Sequence, residues 1–353
     1  MNLEYPDIAT PESASGSLTE LADGLFWATM PVNEALGAIN IWLLRDAGGW
    51  SVIDTGWRNP QTLAAWQVIA DRWFAAPATL RVFCTHMHPD HCGVSGWLAE
   101  RYGASLHMTR LEYYTLRMLA WDVMRPAPAH ALAFYRATGI GQDAIDNYRH
   151  QFGEFGQMVY PLPDAFQALA DGDRLRIGGR TWDVIVGRGH SPEHACFYCA
   201  ELKVLVSGDQ ILPRISSNVS VYPYEPEAEP LSGWVESLGR IKTLVPADVL
   251  VLPAHGRPFR GLHERIDALI DDVSERLRSI SSALGERPCR VVDIFPVQYN
   301  RPITAKLGTM AAGETLAHLA HLCRLGRARR VTDAEGVHWW RAVADTGRVW
   351  YDL

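Results

Sequence analysis

The sequence predicts an α/β fold that carries a helical insertion and a small C-terminal helix–helix–hairpin unit. Short runs rich in β-branched and aromatic residues recur between about residues 25 and 256, punctuated by glycine turns. Amphipathic stretches at helical spacing lie between them. The strand signal stops from about 111 to 163, and the pattern changes again beyond about 285. The expected organisation is therefore a polar tail (1–20), a main domain (21–284, with the insertion at 111–163) and a terminal domain (285–353).

Taken in order, Leu25 to Val32 and Ala38 to Leu44 read as strands, and Asp46-Ala47-Gly48-Gly49 turns the chain into a third that ends at Asp54. Asn59-Pro60 has a capping side chain followed by a proline suited to the first helical position. The helix after it shows an apolar stripe at Leu63, Trp66, Ile69, Ala70 and Trp73. A strand at 80–84, a helix from about Val94 closing on Gly103, and a strand from Ser105 to Met108 follow. The insertion reads as helices broken by Pro126-Ala127-Pro128 and Gly139. Its large side chains, Tyr113, Tyr114, Met118, Trp121 and Tyr135 among them, are mostly expected in helix core, with some lining a pocket. Two hairpins follow, one turning at Gly178-Gly179 and one at Glu201-Leu202. A proline-rich loop spans 212–230; a helix, a strand at Val249 to Leu252 and a long helix from about Leu262 come after it. In the terminal unit, helices at Thr304 to Met310 and Glu314 to Leu325 precede a two-stranded wing at 329–342, an order that suggests a winged helix.

Composition narrows the function. Of 353 residues, 48% are hydrophobic and 21% charged, the balance of an ordinary globular enzyme. A formal net charge of −7 offers no general attraction to nucleic acid or anionic lipid. No apolar run approaches the roughly 18 residues of a membrane helix. Met1 to Ser17 lacks the basic start and apolar centre of a secretory signal. Six scattered cysteines predict reduced thiols and a cytoplasmic location. Cys196 and Cys199 form a C-x-x-C within a strand, where buried thiols are the expectation.

The chemistry concentrates at Thr85-His86-Met87-His88-Pro89-Asp90-His91-Cys92-Gly93, directly after a strand. Imidazole and carboxylate are the donors that divalent zinc and iron favour. Gly189-His190, Gly208-Asp209 and His255-Gly256 stand at three later strand ends, where side chains along one sheet edge converge on a cleft. Cys84 and Thr85 precede the first ligand closely enough to support it from behind, but strand-end packing is the stronger expectation.

With these residues in view, the stretch from about Leu25 to Gly256 resembles the metallo-β-lactamase superfamily hydrolases. The match is a strand-end Asp54, the H-x-H-x-D-H loop, then His190, Asp209 and His255 in that order. The resemblance implies a four-layer αββα sandwich with a metal pair at one edge. It places His86, His88 and His190 on one ion, Asp90, His91 and His255 on the other, and Asp209 between them. The terminal unit resembles the winged-helix tail of a subset of these proteins. Two such ions, zinc by donor type with iron or manganese as alternatives, would hold a bridging hydroxide as nucleophile. Asp54 is expected to accept a ring N–H and fix a ligand tautomer, so that Asp90, Asp209 and Asp54 are the carboxylates expected to serve catalysis.

The expected reaction is hydrolysis of a small, partly apolar ester, thioester or lactone. Arg188, Glu193 and His194 would either contact substrate or lock their loop, and Arg214, Asn218, Tyr222 and Tyr224 are further candidate contacts. The alternatives are a nuclease or phosphodiesterase, a hydrolytic dehalogenase of an activated aromatic, and an iron-dependent persulfide dioxygenase. Arg324, Arg327, Arg329 and Arg330 are the best support for nucleic acid, but four arginines at a helix end also read as solvated surface. Di-iron flavoproteins of the superfamily carry glutamate where this chain has His88. The expected partners are a small-molecule substrate and a second copy of the chain, with the terminal unit as dimerisation or pocket-closing element.

Overall fold

The computed structural model describes residues 3–33, 36–74 and 79–343; the extreme ends of the expected tail and terminal domain lie outside them. Strands β1 (Thr19–Ala22), β2 (Leu25–Pro31), β3 (Ala38–Asp46) and β4 (Gly49–Ile53) precede helix α1 (Pro60–Trp73) and strand β5 (Thr79–Phe83). A one-turn α2 (Pro89–Cys92), α3 (Ser95–Tyr102), β6 (Ser105–Thr109) and α4 (Arg110–Trp121) come next. The insertion continues through a 3-10 turn (Asp122–Met124), α5 (Ala129–Ala137), α6 (Gln142–Gln151) and α7 (Glu154–Gln157). Strands β7 (Gln167–Leu169), β8 (Arg174–Ile177), β9 (Arg180–Gly187), β10 (His194–Cys199) and β11 (Val204–Gly208) follow. They lead to α8 (Pro230–Leu244), β12 (Leu250–Pro253) and α9 (Leu262–Glu286). Beyond α9 lie α10 (Val291–Gln298), α11 (Ala305–Arg324), β13 (Ala328–Thr332) and β14 (His338–Ala342).

The chain divides into two compact units. One holds Met1–Met124, Gly153–Ser217 and Arg240–Ile266; the other holds Arg125–Phe152, Asn218–Gly239 and Asp267–Leu353. The first unit contains both large sheets. Seven strands run β1 to β7 in order, antiparallel through β4 and parallel from β4 to β7. Five strands form the second sheet in the order β12-β11-β10-β9-β8, with β11 and β12 parallel. Between the sheets lies one core, in which Trp27, Trp42, Leu44 and Phe83 of the first meet Trp182, Val184, Phe197 and Val206 of the second. Burying each such side chain contributes on the order of 1.5–3 kcal/mol. On its other face the first sheet carries Trp66 and Ile69 of α1, Leu98 of α3, and Tyr113 and Leu116 of α4.

Local signals set these elements. The Asn59 side chain accepts the Thr62 N–H at 2.7 Å and caps α1, with Pro60 in the first turn; such a cap contributes about 1 kcal/mol. Gly178 and Gly179 both adopt positive φ (59° and 74°), the backbone that a two-residue turn between twisted strands requires. Asn40 sits buried in β3 and is fully satisfied. Its Oδ1 accepts Trp27 Nε1–H at 2.9 Å, and its Nδ2 donates to the carbonyls of Pro253 and Gly256 at 2.7 and 2.8 Å. One amide thus ties the first sheet to the end of β12 in the second.

In the second unit, α6 packs on α11, α10 on α11, and β13 pairs with β14 antiparallel. Here the structure corrects the sequence reading. The helices expected at 304–310 and 314–325 are one helix, because Ala311, Ala312 and Gly313 continue it as a buried small-residue face. The helix at Val291–Gln298 is not among the expected elements, since its β-branched run and Pro296 read poorly as helix. The insertion's large side chains also divide more evenly than expected. Tyr113 and Tyr135 are buried, whereas Leu111, Tyr114, Met118 and Trp121 stand exposed along α4, Trp121 at 81%. Among the described residues no helix is long and apolar enough to cross a membrane.

Candidate metal centre

The centre lies where like-directed strands end. In the first sheet, parallel β4 and β5 finish at Ile53 and Phe83, which are register partners. In the second, β9, β11 and β12 run the same way, since β10 is antiparallel to β9 and β11. The loops after these five strands carry Asp54, the 84–93 loop, His190, Asp209 and His255. Pro89 starts α2 directly after His88, which turns Asp90 and His91 back toward the cluster.

Among the described residues, two groups of donor atoms could each hold a metal ion. They are His86, His88, His190 and Asp209, and Asp90, His91 and His255, with the atoms of each group within 4.8 Å of one another. His86 Nε2 lies 2.8 Å from His88 Nδ1 and 3.2 Å from His190 Nε2. Burial, then the neighbouring imidazoles of His91, His88, His194 and His190, hold His86 neutral, well below the usual histidine range. Burial and the His190 ring take His88 down to about 3. Neutral rings this close bring lone pairs together, an arrangement that a cation resolves. In the second group, His255 Nε2 lies 3.2 Å from Asp90 Oδ2 and His91 Nε2 3.6 Å from Asp209 Oδ2. Among the described residues, buried His91 Nε2, His255 Nε2 and Asp209 Oδ1 have no hydrogen-bond partner. Buried polar atoms are rarely left so, and these orphans all converge on one spot. The donor set fits divalent metal.

The remaining nitrogens are fixed from behind. His91 Nδ1 donates to Asp54 Oδ2 at 2.8 Å, and His255 Nδ1 donates to the Ala38 carbonyl at 3.0 Å. Burial alone would lower the pKa of His91, but Asp54, Asp209 and Asp90 raise it well above the usual range. The sequence reading of Thr85 as packing is overturned. Its N–H donates to Asp54 Oδ1 at 2.8 Å, and its Oγ1 lies 3.0 Å from both Asp54 oxygens and 3.1 Å from His86 Nδ1. The pattern that satisfies every group runs His86 Nδ1–H to Thr85 to Asp54, leaving His86 Nε2 free to bind. Asp54 holds its carboxylate there from a left-handed backbone (φ 63°), a conformation costing about 1–2 kcal/mol in an L-residue.

His194 is wholly buried, so of its two expected roles the structure favours locking the loop. Its Nε2 accepts the Asp209 N–H at 3.0 Å, its Nδ1 faces Cys196 Sγ, and its ring stacks on His86 at 4.8 Å. Burial, then the His190 ring, keep it neutral and able to accept. Gly208 makes room for it: an added Cβ would lie 2.5 Å from the ring, and φ is +51°. Glu193 turns its Oε2 to the Leu111 N–H at 3.2 Å. Arg188 is exposed and its carbonyl accepts from Gln210 Nε2. Arg214 lies over the Tyr5 ring at 5.9 Å. Asn218, Tyr222 and Tyr224 belong to the second unit, where the two tyrosines stack at 5.3 Å. Of the arginines raised for nucleic acid, Arg324 pairs with Glu229 at 3.2 Å and Arg330 with Glu227 at 3.0 Å.

Two residues escape the sequence reading. One is Asn40, described above. The other is Glu112, wholly buried at the start of α4, whose carboxylate accepts the Met87 N–H at 2.9 Å and the Glu193 N–H at 2.7 Å. Neither lies in a motif. A lone glutamate in the first helical turn reads as solvated surface, and a strand asparagine as a solvent-facing position.

Known proteins share these features. The profile of the Metallo-beta-lactamase superfamily matches residues 35–256, and that of the Metallo-beta-lactamase-like C-terminal domain matches 277–343. A beta-lactamase domain protein from Burkholderia ambifaria is 36% identical, with a TM-score of 0.84 over 97% of this chain and 99% of its own. A metallo-beta-lactamase family protein from Thermus thermophilus is 25% identical, with a TM-score of 0.76 over 92% of this chain and 100% of its own. The human acyl-coenzyme A thioesterase MBLAC2 is 27% identical over 256 residues, 68% of this chain and 80% of its own. An atrochrysone carboxyl ACP thioesterase from Aspergillus fumigatus is 28% identical over 156 residues, 40% of this chain and 34% of its own. The expected α/β sandwich with an extra C-terminal domain is borne out.

Proposed function

The chain belongs to the metallo-beta-lactamase superfamily and is a metal-dependent hydrolase, and from that premise we propose that it uses two divalent ions to hydrolyse an acyl thioester. The observation that carries the metal reading is the convergence of seven donor side chains, with the orphaned atoms of His91, His255 and Asp209 pointing inward. The thioester reading rests on the two thioesterase relatives.

In this reading His86, His88 and His190 would hold one ion and Asp90, His91 and His255 the other, with Asp209 as a further donor. Bound there, the ions supply Lewis acidity toward a carbonyl oxygen and a nucleophile drawn from water near neutral pH. The protein's part is to orient the donors. Asp54 accepts a hydrogen bond from His91 Nδ1–H and, through Thr85, orients His86, so both rings turn Nε2 to the site. His194 fixes the backbone of Asp209. Donor type favours zinc. Six free cysteines, five of them buried, fit a reducing cytoplasm. Winged-helix character of the terminal unit and its use in forming a homodimer belong to the same proposal.

The test is metal analysis coupled to a panel of acyl thioesters, lactones, aryl esters and phosphodiesters, with free thiol release and oxygen uptake followed in parallel. Thioester turnover that disappears together with the metal in Asp209→Ala is the expected result. Faster cleavage of lactones or phosphodiesters would overturn the substrate class, and oxygen consumption by an iron-loaded protein would overturn hydrolysis.

A further inference from the structure

We propose that Glu112 is a positioning residue that locks together the two loops supplying the His86, His88 and His190 donors; the inference rests on the metal reading above. Met87, whose N–H it holds at 2.9 Å, stands between His86 and His88 in the chain. Glu193, whose N–H it holds at 2.7 Å, stands three residues after His190. One carboxylate therefore fixes the spacing between a loop of the first sheet and a loop of the second.

The contact is reciprocal. Glu193 returns its own carboxylate to the Leu111 N–H at 3.2 Å, and its carbonyl accepts from Thr109 Oγ1 at 2.8 Å. The start of α4 and the His190 loop are thereby joined by three hydrogen bonds, and the His86 loop is drawn in by the fourth. The residue type is dictated by the two donors. A carboxylate has an acceptor oxygen for each N–H, whereas an amide has one oxygen and an NH2 group that would confront the other donor. The two N–H groups it holds flank His86, His88 and His190 more closely than Asp90, His91 and His255, so the larger effect falls on the first group of donors.

The experiment is zinc binding by the full chain, titrated against a competing chelator below the melting temperature of each variant. Wild type is expected to take up two ions. Glu112→Gln is expected to weaken the ion of His86, His88 and His190 about 10–100-fold and the second ion less, the range found when a partner that orients a metal ligand is removed. A residue that served the fold alone would lower the melting temperature without changing zinc affinity in the folded protein. Glu112→Asp, which keeps both acceptors on a shorter arm, is expected to fall between and serves if the glutamine variant does not fold. Equal affinity for both ions in the variants and wild type overturns the clamp alone, as does equal weakening of both. A wild-type chain that takes up no zinc overturns the metal reading and the clamp with it.

Discussion

Replacing His194 by phenylalanine removes its two ring-nitrogen contacts, of which that to Cys196 Sγ is long and weak. Phenylalanine keeps a flat ring of similar size against His86, so the stacked contact at 4.8 Å survives. What disappears is the acceptor for the Asp209 N–H at 3.0 Å, in a site with no exposure to water. A buried donor left without a partner costs about 1–3 kcal/mol. For a domain of 150–250 residues each kcal/mol moves the midpoint by about 2–4 °C, so a fall of roughly 2–12 °C is expected. Freed backbone at Asp209 also loosens a carboxylate of the first donor group, and zinc affinity is expected to drop about 10–100-fold. Differential scanning calorimetry of the metal-stripped protein reads the first quantity, and chelator competition the second. His194→Gln, which restores an acceptor, is expected to recover part of both. Gly208→Ala attacks the same ring from the other side, since its Cβ would sit 2.5 Å away. A phenylalanine variant that melts with wild type and holds zinc as tightly would refute the reasoning.

Asp54→Asn keeps an acceptor for Thr85 but turns an NH2 group or a weaker neutral oxygen toward His91 Nδ1. It is expected to fold, because asparagine tolerates the left-handed backbone, and to lose about 10–100-fold in metal affinity; unchanged zinc competition would disprove the tautomer role. His318 in α11 gives a pH prediction. Burial lowers its pKa to about 4, against a histidine value of 6.5 in the unfolded chain. Above pH 6.5 both states are neutral and stability is complete. As pH falls from 6.5 to 4 only the unfolded chain takes the proton, so stability is lost, by about 3 kcal/mol. His318→Gln is expected to flatten the urea midpoint across that window, and parallel curves for the two proteins would reject the assignment.

Legibility follows from how local each signal is. The seven donors can be read because they stand at strand ends in short motifs, and the loop at 84–93 alone supplies four of them. Thr85 is misjudged from sequence because a threonine after a strand carries no mark of its hydrogen bonds; only the approach of Asp54 gives it a role. Glu112 and Asn40 act through contacts between distant segments, which no spacing rule reports. The continuous α11 reads as two helices because alanine and glycine interrupt an apolar stripe while still packing well. Substrate contacts are least legible, since they depend on the shape of a cleft rather than on any donor's chemistry.

The Asn40 amide reaches partners 213 and 216 positions away in the chain. Closing a loop of that length costs roughly 5 kcal/mol of chain entropy before any contact rewards it. During synthesis at about 5–20 residues per second, the His86 loop leaves the ribosome roughly 10–30 s before His255 exists. Throughout that interval a nascent chain displays three imidazoles and a carboxylate without their later companions. The short-range net of Thr85, Asp54 and His91 is complete by then, because all three belong to the first ninety-one residues. Order in the early half of the centre can thus precede both the second sheet and the arrival of any ion.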